Sequence, residues 1–358
     1  MQEAGGFPPA FGYLLQTNPW TKHPEHMTTA YETAFEEVMA EIEDIDPASS
    51  PRIQSLFTFF SANVLHYMPV IPYRDHLQCF RACCGYQKLS LLDQRFFGPQ
   101  FPVKITGWDS HWVDGLRSRP GIICTMHSGS YRLINFMLAR DSVPHAILVS
   151  SKFKSTQEEA LRQLYPRIGL DPTPVHVLDA GKATTPLTMM RLLDRGVNIV
   201  VYVDGDVGVP LKGTDKLQRI PFLAQHIHIR KGIARIAARQ QAPIYPIFNF
   251  RKDAGTINVY PLDAIEPQGR HDQQLFEEQT LSLIYQTFAS LLLHHPMQWE
   301  NWFALHENID INKRFIAPRF PDQPDYRPEN PDYYGIFQHD EAFFLLGKQD
   351  YQVMPLNI

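Results

Sequence analysis

A histidine at the end of one apolar run, two aspartates at the end of another and a cluster of cations further on are the residues of this chain whose types and spacing can do chemistry. In Pro120 to Leu138, PGIICTMHSGSYRLINFML, the run Ile122, Ile123, Cys124 stops at His127. Ser128, Gly129 and Ser130 follow, and Leu133, Phe136, Met137 and Leu138 then recur at helical spacing. The pattern is a strand, a tight turn and a helix start. Such a turn carries an imidazole to the carboxyl end of a strand, beside free backbone N–H groups, where open α/β sheets bind ligands. There His127 can act as a general base, and the N–H groups of Ser128, Gly129, Ser130 and Tyr131 can hold a developing oxyanion. The chain has fifteen histidines, and one at a strand end also serves as an ordinary hydrogen-bonded residue, so the rest of the pattern has to decide.

The second block, Asn198 to Pro210 (NIVVYVDGDVGVP), is an apolar strand that delivers Asp204 and Asp206 at its carboxyl end. If it shares a sheet with the first strand, a carboxylate emerges beside His127 and can orient the ring so that one nitrogen stays free as a base. Paired carboxylates also suit a hard cation, but no further acidic cluster stands at useful spacing, so no metal is expected. The third block, Ile220 to Phe250, reads as an apolar loop, a helix over 226–240 with Arg230, Lys231, Arg235 and Arg239, and a strand. Those cations form either a solvated face or a docking surface for an anionic donor. In the fourth block, His294 to His306, Trp299, Trp302 and Phe303 have core-packing spacing, and Glu300 is the acid that can face inward.

These blocks need a scaffold, and the chain supplies an α/β one. Helical patterns over 23–44, 53–68 and 73–95 form an N-terminal layer after an irregular arm, giving a first unit of residues 1–100. The apolar second helix either lines a cleft or packs on the core. Strands then read near 102–106, 120–126, 145–151, 174–178, 197–204, 243–250 and 256–261, alternating with helices near 130–140, 156–166, 184–195, 226–240 and 272–294. That alternation is the signature of a mostly parallel sheet flanked by helices, here residues 101–314. Residues 315–358, rich in proline and aromatics, read as an extended C-terminal wrap.

Composition bounds the function classes. With 44% hydrophobic and 20% charged residues the 358-residue chain is globular. A net charge of -5 and a pI near 6.3 argue against a nucleic-acid binder that works by global positive charge. The four cysteines, Cys79, Cys83, Cys84 and Cys124, lack metal spacing and read as free thiols. No signal-peptide pattern or membrane-length apolar stretch is seen, so the expectation is a cytoplasmic protein without a transmembrane anchor, with peripheral membrane contact left open.

In this order the blocks resemble the late acyltransferases of lipid A synthesis, within the lysophospholipid acyltransferase superfamily. The resemblance rests on the strand ending at His127, on RGVNIVVYVDGDVG, on Ile220-Pro221-Phe222, on Ala242-Pro243-Ile244-Tyr245-Pro246-Ile247, and on Pro296-Met297-Gln298-Trp299-Glu300-Asn301-Trp302. It covers roughly residues 102–310. In that family a histidine and an acid five positions later form the catalytic pair. Here Arg132 stands in the acid's place, and a guanidinium has no acceptor for the imidazole N–H. Either another carboxylate orients His127, with Asp206 and Asp204 first and Glu300 after them, or the chemistry has drifted. Arg132 is free in this reading to grip a phosphate or carboxylate of the substrate.

The resemblance implies an acyltransferase. It would move an acyl or aminoacyl group from a carrier-protein or CoA thioester, carried on phosphopantetheine, to an amine or hydroxyl of a small molecule or lipid, as in specialised-metabolite assembly. No cofactor stays bound in this reading. Ser128 and Ser130 lie near enough to His127 to keep an acyl-enzyme route open. The rivals are a thioester hydrolase at the same site and a catalytically degenerate carrier-binding protein.

Overall fold

Strands that read as almost wholly apolar must be covered on both faces, and they are. The computed structural model describes residues 29–169, 176–205, 217–267, 273–305 and 329–356. The helical layer comprises α1 (Thr29–Glu43), α2 (Pro51–Tyr67) and α3 (His76–Phe96). There follow β1 (Lys104–Thr106), α4 (Ser110–Ser118), β2 (Ile122–Thr125), α5 (Leu133–Arg140), β3 (His145–Val149), α6 (Lys154–Arg167), β4 (His176–Asp179), α7 (Thr185–Leu193) and β5 (Asn198–Tyr202). After these come β6 (Leu217–Phe222), β7 (Gln225–Arg230), α8 (Gly232–Gln240), β8 (Ile244–Asp253), β9 (Thr256–Pro261), α9 (Gln273–Leu292), β10 (Tyr334–His339), β11 (Ala342–Gly347) and β12 (Val353–Leu356). The N-terminal arm lies outside the described residues.

Seven strands form one sheet in the order β1-β9-β8-β2-β5-β3-β4, parallel except where β9 runs against β8. The fold class is the α/β architecture expected. Side chains of β2 alternate between two cores. Ile122 and Cys124 join Phe60, Phe80, Ile199, Phe248 and Phe288 on one face. Ile123 joins Leu89, Ile134, Phe136, Val200 and Ile247 on the other. The chain leaves β2 for β3 and β4, returns to β5 beside β2, and later places β8 on the other side of β2. The carboxyl end of β2 is therefore the point where the strand order switches, the place where such sheets bind ligands.

Two readings of the sequence are corrected. The helix expected over 226–240 starts only at Gly232, because His226 to Arg230 alternates exposed and buried residues, with Ile227 and Ile229 inward, and pairs with β6 in an antiparallel hairpin. A period of two outweighed the short run of helix formers that follows. The C-terminal stretch is not simply an extended wrap: β10, β11 and β12 form a three-stranded antiparallel sheet. It is joined to α2 by hydrogen bonds from Thr58 Oγ1 to Ile336 O and from Tyr351 Oη to Asn63 Oδ1. This docking, with Phe60 and Val64 buried in the main core, makes α2 a packing helix.

Candidate active site at the carboxyl edge of the sheet

The register of β2 and β5 fixes the first pair. Ile122 lies beside Ile199 and Thr125 beside Tyr202, and the same offset carried two residues past both strand ends brings His127 beside Asp204. The imidazole Nδ1 lies 2.8 Å from Asp204 Oδ1, and the His127 backbone N–H donates to Oδ2 at 2.9 Å. Trp299 Nε1 donates to Oδ2 at 2.8 Å, and the Asn301 amide donates to the Asp204 carbonyl. The carboxylate is 1% exposed, the histidine side chain 28%. With Nδ1–H directed at Asp204, Nε2 is left as the basic nitrogen. Among the described residues no partner takes Nε2 in a hydrogen bond.

Two tyrosines fix the ring plane. Tyr202 stacks on His127 with centroids 4.7 Å apart, and Tyr131 meets its edge at 4.9 Å. Asn135 Nδ2 donates to the Tyr202 hydroxyl at 2.9 Å. Burial works to lower the proton affinity of the imidazole, but the Asp204 charge and hydrogen bond, aided by Glu300, outweigh burial and the opposing Arg132 charge. The His127 pKa is therefore raised above its ordinary 6.5. Burial and the Glu300 charge hold the Tyr131 phenol well above its usual range, so it stays protonated.

Arg132 does not reach His127. Its Nη1 donates to Ser90 Oγ and to Glu300 Oε1, each at 3.1 Å, and its guanidinium lies 4.3 Å from the centroid of the Tyr131 ring. Glu300 also accepts from the Tyr131 hydroxyl at 3.1 Å. Asp204 thus takes the imidazole, and Glu300 takes the arginine. The pair is partly open, with side chains 19% and 20% exposed. The remaining N–H groups of Arg132 make no hydrogen bond among the described residues.

The turn itself differs from expectation. Of its four N–H groups, Ser128 donates to Met126 O and Gly129 to Gln298 O, both at 2.8 Å. Those of Ser130 and Tyr131 have no acceptor among the described residues. Gly129 has φ +54, and a Cβ there would come within 2.6 Å of Asn249 O, so the tight turn requires glycine. Neither serine hydroxyl points to the cleft: Ser128 Oγ donates to Asn249 O at 3.4 Å and Ser130 Oγ to Asp93, both residues being buried. Both hydroxyls are thus engaged away from His127 in this structure. The thiols are no substitute. Burial pushes Cys79 up to about 12 and Cys84 up to about 11, and raises Cys83 and Cys124 as well.

The expected cationic helix is divided. Arg230 ends β7 and Lys231 precedes α8, leaving Arg235 and Arg239 on the helix. Arg235 is engaged with the buried Glu277 at 3.2 Å. Arg239 lies at the end of α8 that leads into the start of β8, and the following Gln241 O accepts from Arg119, just ahead of β2. This is the amino edge of the sheet, opposite His127, so the four cations do not form one docking face at the site. Asp206 lies outside the described residues. Among the described residues no group of three or more His, Cys, Asp or Glu side chains could hold a metal ion.

Sequence reasoning missed Tyr202, Trp299 and Asn301 as parts of this site. Tyr202 was detectable in principle, since it precedes Asp204 by two residues and therefore points to the same face. No protein-family model matches the chain, and no curated protein sequence matches it.

Proposed function

We propose that the chain is an acyltransferase that moves an acyl or aminoacyl group from a phosphopantetheine-linked thioester to an amine or hydroxyl. The observation that carries this reading is the 2.8 Å contact of His127 Nδ1 with buried Asp204, which leaves Nε2 open at the strand-order switch point. His127 Nε2 takes the proton of the acceptor as its nitrogen or oxygen bonds to the thioester carbon. Asp204 stabilises the imidazolium so formed. The N–H groups of Ser130 and Tyr131 hold the oxyanion, each good donor being worth about 3 to 4 kcal/mol. When the carbon–sulfur bond breaks, the proton on Nε2 passes to the leaving thiolate, which restores the base. Direct transfer fits a site whose serines are turned away and whose thiols are held protonated.

The open edge of Arg132 suits an anionic group on donor or acceptor, such as a phosphate or carboxylate. Among the described residues no helix is long and apolar enough to cross a membrane, which fits a donor or acceptor met in water or at a surface. The test is thiol release from octanoyl-CoA and from the glycyl thioester of N-acetylcysteamine, with and without a panel of amines and alcohols. His127→Ala is expected to lower turnover by roughly two to four orders of magnitude. Unchanged turnover in a folded variant would overturn the reading, and release independent of any acceptor would identify water as the acceptor.

A further inference from the structure

Beneath the turn lies a charged pair that the chemistry above leaves unused. Asp93, near the end of α3, is completely buried, and its partner Arg251 near the end of β8 is 1% exposed. Both Asp93 oxygens accept from Arg251 Nη2. The Tyr31 hydroxyl donates to Oδ1 at 2.6 Å, and the Ser130 hydroxyl donates to Oδ2. The acid thereby joins α1, α3, β8 and the catalytic turn at one point.

Arg251 is anchored in its own right. Its Nη2 reaches the Tyr31 hydroxyl at 3.2 Å and its Nη1 donates to Ala254 O. Its backbone N–H donates to Gln298 Oε1, and its carbonyl accepts from Gln298 Nε2, each at 2.7 Å. The carbonyl of Gln298 in turn accepts the Gly129 N–H. Gly129 and Ser130 are therefore tied to the same pair by separate routes. Burying two charges costs desolvation, and an apolar pair of similar volume often replaces a buried ion pair without loss of stability. What an apolar pair cannot do is accept the Ser130 hydroxyl and fix its direction.

We propose that Asp93, held by Arg251, is a positioning residue for the 127–131 turn: by fixing Ser130 it keeps the Ser130 and Tyr131 N–H groups aimed at the oxyanion. The catalytic part of this inference rests on the acyl-transfer reading, whereas the positioning part stands without it. The experiment compares wild type, Ser130→Ala and Asp93→Asn by amide hydrogen exchange of peptides spanning 126–134 and by kcat and KM for octanoyl-CoA with an active acceptor. Both variants are expected to raise exchange at the hydrogen-bonded amides of the turn and its exit, those of Ser128, Gly129, Leu133 and Ile134, at least tenfold while the amides of α6 keep their protection. In both, kcat falls roughly tenfold to a hundredfold, as expected for a misplaced catalytic group, and KM stays within about twofold because the donor's own contacts are intact.

The double variant is expected to be no worse than Asp93→Asn alone, since both changes cut the same link. Ser130→Ala leaves the ion pair in place and carries the test if Asp93→Asn does not fold. Unaltered exchange at those four amides overturns the proposal whatever the turnover does, and a raised KM with unchanged kcat overturns its catalytic part. A wild-type chain inert toward thioesters overturns the acyl-transfer reading, and the exchange comparison still decides whether Asp93 holds the turn.

Discussion

Asp204 and Asp93 each hold one residue of the 127–131 turn, the first from the end of β5 and the second from α3 beneath it. Asp204 takes His127, whose side chain is 28% exposed, and shares its second oxygen with the Trp299 indole. Asp93 takes Ser130 and pairs with Arg251, and both members are closed to water. A proton-transferring pair must present one nitrogen to the reactant. A positioning pair gains from exclusion of water, because each hydrogen bond is stronger in a low dielectric and nothing competes for it. The difference in access thus separates the acid assigned to the proposed proton transfer from the one proposed to hold the turn.

The widest separation should appear in stability. Asp93→Ala leaves Arg251 buried without its counter-charge and is expected to cost about 3 to 5 kcal/mol of unfolding free energy in urea titration. Asp204→Asn keeps shape and most hydrogen bonds, so its loss of stability should be well below that. A loss of similar size in both would erase the distinction. Activity should respond in the opposite sense: Asp204→Asn removes the carboxylate that fixes the tautomer and is expected to lower kcat by roughly one to three orders of magnitude in thiol-release assays, with the fold preserved.

A pH series sharpens the same contrast. The folded-state pKa of His127 lies above its ordinary 6.5. The stability gained from its pairing with Asp204 is therefore complete below about pH 6.5 and is lost as the pH rises through the raised value. Catalysis by the neutral base follows the reverse course and rises through that window. Turnover that falls with rising pH there, or stability from this pair that grows with it, would contradict the assignment. The smallest expected effects come from the neighbouring pair. Removing the Arg132 charge with Arg132→Gln should raise the His127 midpoint, and Glu300→Gln should lower it, because the two charges act on the ring with opposite signs.

Much of the candidate site was legible in sequence. His127 and Asp204 each end an apolar run, and a parallel sheet brings such ends to one edge. The β2–β5 register that seats them side by side is a tertiary fact, so local pattern alone does not choose between Asp204 and Asp206. The hairpin of β6 and β7 was missed although Ile227 and Ile229 alternate with His226 and His228, because the helix formers after Gly232 extend the wrong period backwards. Asp93 gave a fainter signal. It completes the stripe Leu89, Leu92, Asp93, Phe96 on α3, where an acid occupies a position that helical spacing gives to an apolar residue. Only the arrival of Arg251 from β8 makes that burial tolerable, and local pattern does not show it.

The measurement closest to the central claim is the titration of His127 by NMR in protein labelled with 13C at histidine Cε1, with the signal assigned through the His127→Gln variant. The expected wild-type midpoint lies above 6.5, and it moves down in Asp204→Asn, where burial acts on the ring without the opposing carboxylate. A wild-type midpoint at or below 6.5, or one unchanged by Asp204→Asn, would contradict the pairing of base and acid on which the proposed chemistry depends.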